Sequence, residues 1–193
     1  AYLSSSTEFC VPRFYGLITF GPPVESQLSL GRSLNDAVVF SGALDDDQKN
    51  AFEHAMSSLR QTGGCALVRR PGGGKTVLGI RIALELKRRT LVLVHKGFLV
   101  NQWKERIEQF IPDAKVGRIQ RKNIITEDCD IVIGLLQSIS MIDYPEETFR
   151  GFGFVIYDEC HHLGAEVFSR ALLKTNTRYT LGLSATPKRQ DGL

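Results

Sequence analysis

The sequence is short of cysteines and of long apolar runs, and each shortage excludes a class of protein. Its four cysteines are spread over 193 residues, and none forms a C-x-x-C pair. This spacing argues against a structural zinc site and against a disulfide-stapled secreted domain. No uninterrupted apolar run approaches the roughly 18 residues of a membrane-spanning helix. We therefore expect no zinc, no membrane contact and an intracellular location, with nucleus, cytoplasm and viral replication site left undistinguished.

The net charge of the chain is also small. With 24 Lys and Arg against 21 Asp and Glu, the net charge is +3, which does not by itself indicate a nucleic-acid partner. The first residues carry no basic flank ahead of an apolar run, so we expect no secretory leader. The chain begins without methionine and stops abruptly, which suggests a piece of a longer protein. The length accommodates one globular domain with a small appendage.

The two parts of the chain differ in pattern. Residues 1–43 hold three of the seven prolines and β-like runs such as residues 14–20, so we expect an N-terminal extended arm or small β-rich appendage. Residues 44–193 alternate apolar strands with amphipathic helices, which indicates an α/β domain with a mainly parallel sheet and helices on both faces. The pattern predicts helices over 48–59, 77–88, 98–110, 135–141 and 165–173, and strands over 65–68, 90–95, 116–119, 130–133, 154–157 and 179–183.

A glycine-rich turn joins the first of these strands to a helix, in the context that a phosphate-binding P-loop requires. Backbone N–H groups of such a turn cradle phosphate, the lysine reaches the β- and γ-phosphates, and the following hydroxyl ligates Mg²⁺. The strict pattern has glycine where this chain has Arg69, which weakens the match. We expect ATP to bind to Arg70, Pro71, Gly72, Gly73, Gly74, Lys75 and Thr76.

Two acids end a later apolar strand, at the sheet edge where ligands bind in open α/β folds. Asp158 would hold Mg²⁺ together with Thr76, and Glu159 would orient and deprotonate the water that attacks the γ-phosphate. Alone, the pair would indicate only a solvated strand end; beside a P-loop it predicts a catalytic site with Lys75. A zinc site at residues 160–162 is disfavoured because adjacent side chains converge poorly on one metal.

The ordered motifs resemble those of superfamily 2 helicases. Residues 72–76 are similar to motif I, residues 158–161 to the DECH form of motif II, and residues 184–186 to motif III, with 183–192 similar to the XPB/UvsW-like branch. The resemblance implies a RecA-like P-loop fold, an adenine-reading role for Gln48, and coupling of hydrolysis to movement through His161, Ser184 and Thr186. The N-terminal arm weakly resembles helicases of large DNA viruses.

The same resemblance implies nucleic-acid contacts, here expected to be with duplex or branched DNA, and a second RecA-like domain that supplies an arginine finger. Trp103 is more typical of core packing, the cluster around Arg118 fits a solvated loop as well as a DNA contact, and Lys87–Arg89 fit a solvated helix end. The residues matching nucleic-acid-binding segments are Lys96, Gln102, Arg118, Gln137 and Ser138.

We therefore expect the ATP-binding motor domain of a DNA helicase or translocase, an ATP hydrolase whose isolated piece is weak or inactive. A restriction-type or RNA-directed superfamily 2 motor shares these motifs. A small-molecule P-loop kinase does not call for the 184–186 element, and a non-hydrolysing binding module does not call for intact Lys75, Thr76, Asp158 and Glu159.

Overall fold

The computed structural model of the chain describes residues 3–4, 7, 9–161 and 166–186. Three expectations lie partly outside these residues: the disfavoured zinc site at 160–162, the beginning of the 165–173 helix, and the end of the 183–192 motif.

Nine strands and seven helices make up the described residues. The strands are β1 (Leu3–Ser4), β2 (Phe9–Cys10), β3 (Gly64–Val68), β4 (Thr90–Val94), β5 (Val116–Gln120), β6 (Asn123–Ile125), β7 (Ile131–Leu135), β8 (Phe154–Asp158) and β9 (Tyr179–Ser184). The helices are α1 (Arg13–Phe20), α2 (Asp46–Thr62), α3 (Lys75–Leu86), α4 (Gly97–Phe110), α5 (Leu136–Met141), α6 (Glu147–Arg150) and α7 (Glu166–Lys174).

A seven-stranded sheet in the order β3-β9-β8-β4-β7-β5-β6 forms the centre of the fold. Its first six strands are parallel, and only β6 at the edge runs antiparallel, against β5. The mainly parallel α/β sheet is therefore confirmed. Since parallel strands present their carboxyl ends at one edge, the segments after β3, β4, β7, β8 and β9 all emerge there.

Two apolar layers cover the sheet. Alternate residues of β4 divide between them, with Val92 and Val94 in one layer and Leu91 and Leu93 in the other. Helices α2, α3 and α4 pack on the first face, and α5, α6 and α7 on the second. All five residues of β4 are buried, as expected for a central strand covered on both faces. No described helix combines the length and apolar character needed to cross a membrane.

The N-terminal arm packs on the amino edge of this sheet. Leu34 and Val38 of the arm are buried, and the Asn35 N–H donates to the Asp130 carboxylate over 3.1 Å. At Gly31 the arm meets the sheet backbone to backbone, because a Cβ there would overlap the peptide of Gly153. The division at residue 43 stays a prediction, although Val38 lies in the apolar layer on the first face of the sheet.

The β-like expectation for residues 14–20 is wrong, because this run forms helix α1. Its aromatic and branched side chains favour a strand, but Arg13 donates to the carbonyls of Thr177 and Arg178, and Phe14 covers Gly64. Tertiary contacts at the first turn thus override local propensity. Among its described residues the appendage has the two-residue pair β1–β2, and isolated β-bridges join Ser29 to Thr177 and Ser33 to Arg88.

The solvated reading of Arg89 is also wrong. Its side chain is buried, donates to the backbone carbonyls of Cys129 and Thr126, and lies over the Phe152 ring. Burial lowers the pKa of this guanidinium. Arg89 therefore ties the loop before β7 to the beginning of β8. The sequence pattern does not predict β6 or α6, because they are only three and four residues long and lie between stronger patterns.

Candidate active site

The glycine-rich turn lies between the end of β3 and the first turn of α3. Gly72 and Gly74 adopt left-handed backbone conformations, with φ of 75° and 79°, which side chains other than glycine rarely tolerate. Lys75 is the first residue of α3, and its ammonium donates to the Arg69 carbonyl over 3.3 Å. The N–H groups at the start of α3 have no partner within the helix, so this end offers an anion site.

Arg69 departs from the strict motif and stabilises the turn through its side chain. Its Nε donates to the Gly73 carbonyl over 2.7 Å, and its Nη2 donates to the Asp47 carboxylate over 2.5 Å. Asp47 lies in the first turn of α2, so one side chain connects that helix to the P-loop. The strict motif predicts glycine at this position, and the arginine that replaces it was the sequence signal for this contact.

Gln48 lies beside the P-loop, where the resemblance requires it. It forms a capping box with Asp45: its amide oxygen accepts from the Asp45 N–H over 3.1 Å, and its own N–H donates to the Asp45 carboxylate over 2.7 Å. Its amide nitrogen lies so close to Gly74 that a Cβ there would collide with it. The capping box thus places a polar amide against the turn, and its adenine-reading role stays a prediction.

Asp158, the last residue of β8, is held at both carboxylate oxygens. Oδ1 accepts from the Glu159 N–H over 3.1 Å, and Oδ2 accepts from the indole Nε1–H of Trp103 over 2.9 Å. Burial raises the pKa of Asp158, and the Trp103 hydrogen bond opposes that rise. Trp103 is buried, as its core-packing interpretation predicted, but its contact with Asp158 was not foreseen.

Glu159 turns back toward the P-loop. Its φ of 51° is in the left-handed region, which is unusual for a residue with a side chain and is common at functional sites. Its Oε1 lies 3.7 Å from the Lys75 ammonium, and its Oε2 lies 3.4 Å from His161 Nδ1. The structure therefore brings the predicted catalytic residues Lys75, Asp158 and Glu159 together.

His161 connects the acid pair to the end of β9. Its Nδ1 is 3.0 Å from the Ser184 hydroxyl, which donates to the Thr186 carbonyl over 2.7 Å and accepts from the Thr186 N–H over 3.2 Å. Because the Ser184 proton is directed to that carbonyl, the hydroxyl oxygen is the acceptor for His161 Nδ1–H. The three residues predicted to couple hydrolysis to movement thus form one hydrogen-bonded chain.

A cavity of about 490 Å³ lies between α4 and the acid pair. It is lined by Thr76 and Asp158, whose hydroxyl and carboxylate oxygens are the hard donors that Mg²⁺ prefers. The site residues therefore fit an Mg²⁺ ion beside the phosphate cradle. Gln102 and Trp103 line the same cavity, so Gln102 lies beside the metal ligands, whereas its predicted role is nucleic-acid contact.

The other predicted nucleic-acid residues divide by exposure. Lys96 and Gln137 are exposed after β4 and β7, at the edge that carries the P-loop, and Arg118 is half-buried on β5. Ser138 is buried; its hydroxyl accepts from the Arg121 N–H and bonds to the Tyr144 hydroxyl. The nucleic-acid contact of Ser138 therefore stays a prediction, and in this structure its hydroxyl is engaged by Arg121 and Tyr144.

The cysteines of the described residues form no metal site. No group of three or more His, Cys, Asp or Glu could hold a metal ion in the part of the chain that the structure describes. Cys65, Cys129 and Cys160 are free thiols, and burial raises the pKa of each.

A parallel sheet with a P-loop, a strand-end acid pair and a histidine bonded to the next strand defines a RecA-like nucleotide-binding domain of the helicase type. Residues 41–189 match the family described as "Type III restriction enzyme, res subunit". The chain belongs to this family, and with it to the superfamily 2 helicases and translocases.

Named relatives agree with this assignment. The chain is 35% identical over 192 residues to "Putative ATP-dependent RNA helicase L396" of Acanthamoeba polyphaga mimivirus, covering 100% of the chain and 37% of the relative. It is 36% identical over 171 residues to "DNA 3'-5' translocase XPB2" of Sulfurisphaera tokodaii, covering 88% and 38%. The chain thus spans less than two-fifths of the length of either relative.

The fold is also that of the UvsW helicase from bacteriophage T4, with a TM-score of 0.63 and 21% identity over 82% of this chain and 59% of the UvsW chain. The similarity to XPB2 agrees with the expected branch, and the mimivirus relative agrees with the expected resemblance to helicases of large DNA viruses.

Proposed function

We propose that this chain binds Mg²⁺·ATP between its P-loop and acid pair, and powers the movement of a helicase or translocase on nucleic acid. The observation that carries the proposal is the Glu159 carboxylate, which lies 3.7 Å from Lys75 and 3.4 Å from His161. One acid thereby touches both the phosphate-binding lysine and the residue bonded to Ser184.

Each group has a distinct part in hydrolysis. Lys75 and the N–H groups of the turn hold the β- and γ-phosphates, and Glu159 orients the attacking water and accepts its proton. Thr76 and Asp158 would hold Mg²⁺, which when bound neutralises charge that develops on the phosphates. Gln48 would recognise the adenine edge from its place beside Gly74.

Coupling to movement follows from the His161–Ser184 hydrogen bond. Ser184 ends β9, while Glu159 and His161 follow β8, its neighbour in the sheet. A change at the Glu159 carboxylate on hydrolysis would alter the His161 contact and then the segment beginning at Ser184. The hydrogen bonds that join His161, Ser184 and Thr186 support a motor over a small-molecule kinase, which does not call for this element.

Nucleic acid would bind along the carboxyl edge at Lys96 and Gln137, with Arg118 of β5 as a further contact. Lysine and arginine there would contact nucleic-acid phosphates. Such binding is sensitive to salt and has little specificity for the nucleotide sequence. The translocase relative acts on DNA by its name, which supports the duplex or branched DNA expected from the motifs. The mimivirus relative is named for RNA, so an RNA-directed motor is the second candidate.

A second RecA-like domain would complete the ATP site. The relatives are more than twice as long as the matched part, which leaves room for such a domain in proteins of this kind. Its arginine finger would stabilise charge on the transferred phosphoryl group.

The test is Glu159→Gln in a two-domain form of the protein. The amide keeps the shape of Glu159 but cannot accept the proton, so we expect ATP binding to persist and turnover to fall by about 100-fold or more. ATP hydrolysis is measured with duplex DNA, forked DNA and RNA in parallel. Stimulation by RNA alone would favour the second candidate, and retained turnover in the variant would remove Glu159 from its role as base.

A further inference from the structure

Trp103 stands out because its polar atom is directed at a residue of the metal site. The side chain is 2% exposed, and its indole N–H donates to Asp158 Oδ2 over 2.9 Å. A buried indole requires a partner for its N–H, but this partner is a carboxylate rather than a backbone carbonyl. The bond is therefore charge-assisted whenever Asp158 is ionised, and such bonds are the stronger kind.

The Trp103 hydrogen bond fixes the orientation of the Asp158 carboxylate together with a second donor. Oδ1 is already held by the Glu159 N–H over 3.1 Å, so each oxygen has one donor from the protein. A carboxylate oxygen has two acceptor sites, so one on each atom stays available for a metal ion or its water. An indole only donates, and it therefore orients Asp158 without competing for the metal.

The ring itself is fixed from a second direction. Gly79 lies in the interior of α3, and a Cβ at that position would come within 3.2 Å of Trp103 Cη2. Glycine is unfavourable in a helix interior, by about 1 kcal/mol relative to alanine. The close contact with Trp103 accounts for its presence, and α3 is the helix that carries Lys75 and Thr76. The indole is thus fitted between the P-loop helix and the acid pair.

We propose that Trp103 is a positioning residue that holds the Asp158 carboxylate in the orientation required to bind Mg²⁺. The inference rests on the proposed function, in which Asp158 holds that ion. Trp103 belongs to α4, which begins just after Lys96. This helix therefore connects the proposed nucleic-acid contact at Lys96 to the metal ligand Asp158.

The test uses the 193-residue chain and a fluorescent ATP analogue, with binding measured in the presence and absence of Mg²⁺. Trp103→Phe keeps an aromatic side chain in the core, although the phenyl ring is smaller than the indole, and it removes the N–H. We expect binding without Mg²⁺ to be unchanged, and the tightening produced by Mg²⁺ to fall by about 10-fold, as for other residues that orient metal ligands. A merely structural role would weaken binding under both conditions.

Ile107→Val is the matched control, since it trims a buried side chain of the same helix without touching Asp158. It should show the same Mg²⁺ effect as the wild type. An unchanged Mg²⁺ effect in Trp103→Phe would overturn the inference and leave the proposed function intact. Failure of the wild type to bind the analogue under either condition would overturn the proposed function, and the inference with it.

A second measurement decides the case if Trp103→Phe does not fold. Trp103 is the only tryptophan of the chain, so its emission reports on this contact directly. Adding Mg²⁺ to the ATP-bound wild type should change the emission, and Asp158→Ala should abolish that change. Emission that does not respond to Mg²⁺ in the wild type would contradict the proposal.

Discussion

Arg69 shows how a single residue replaces a missing feature of a motif. The strict P-loop closes on glycine at this position, whereas here the guanidinium closes the turn through Gly73 and anchors it to Asp47. The Arg69 side chain is 16% exposed and Asp47 is 82% exposed, so the Gly73 bond contributes more than the partly solvated ion pair.

We predict that Arg69→Ala weakens ATP binding by about fivefold, close to ~1 kcal/mol, because the turn loses its brace while the phosphate-binding groups remain. Isothermal titration with Mg²⁺·ATP measures the effect. Arg60→Ala is the control: Arg60 is an exposed arginine of α2 whose partner is Glu85. Equal affinities for both variants would show that the turn keeps its shape without Arg69.

The site residues could be read from sequence because phosphate and Mg²⁺ chemistry restricts their types and order. Lys75, Asp158 and Glu159 meet as expected, and His161 bonds to Ser184. The supporting contacts could not be read, because they depend on helix packing. Nothing in the spacing of Trp103 and Asp158 indicates that the indole N–H, rather than the ring alone, serves the site.

At the scale of elements, long periodic segments were predictable and short ones were not. The predicted helices and strands of the sheet domain appear with small shifts at their ends, since burial on one or two faces leaves a clear pattern. Helix α1 was mistaken for a strand because its conformation depends on Arg13 reaching carbonyls near residue 177, far away in sequence.

The docking of the arm at Gly153 gives a prediction at this scale. A Cβ at Gly153 would overlap the Leu30 carbonyl, so the arm and the beginning of β8 could not keep their present separation. We expect Gly153→Ala to cost about 1–3 kcal/mol of stability, and to lower the melting temperature by about 3–10 °C.

Thermal denaturation followed by circular dichroism measures this change, and limited proteolysis shows whether the arm detaches. Gly97→Ala is the matched control, because no atom lies within 4 Å of a Cβ at Gly97 and the residue begins helix α4. A melting temperature and a proteolysis rate equal to those of the control would mean that the arm does not rely on this close approach.

For the whole molecule, the layout of the sheet separates binding from turnover. The P-loop, the acid pair and the His161–Ser184 bond lie at the carboxyl ends of β3, β8 and β9, which are neighbours in the sheet. We therefore expect this chain to bind phosphate and Mg²⁺ by itself. Lys75 is the cation close to Glu159. Hydrolysis of this type is greatly accelerated when an arginine also contacts the transferred phosphoryl group.

We therefore predict that the 193-residue chain binds ATP weakly and hydrolyses it little, whether or not DNA is present. An arginine finger contributes about 10³–10⁵-fold in rate, so a protein that also carries the second RecA-like domain should exceed the chain alone by a factor of this order. Single-turnover hydrolysis of radiolabelled ATP compares the two, and Lys75→Ala in each sets the background. Robust DNA-stimulated turnover by the single chain would contradict the two-domain arrangement, because it would show that the groups around Glu159 complete the catalytic site without a partner.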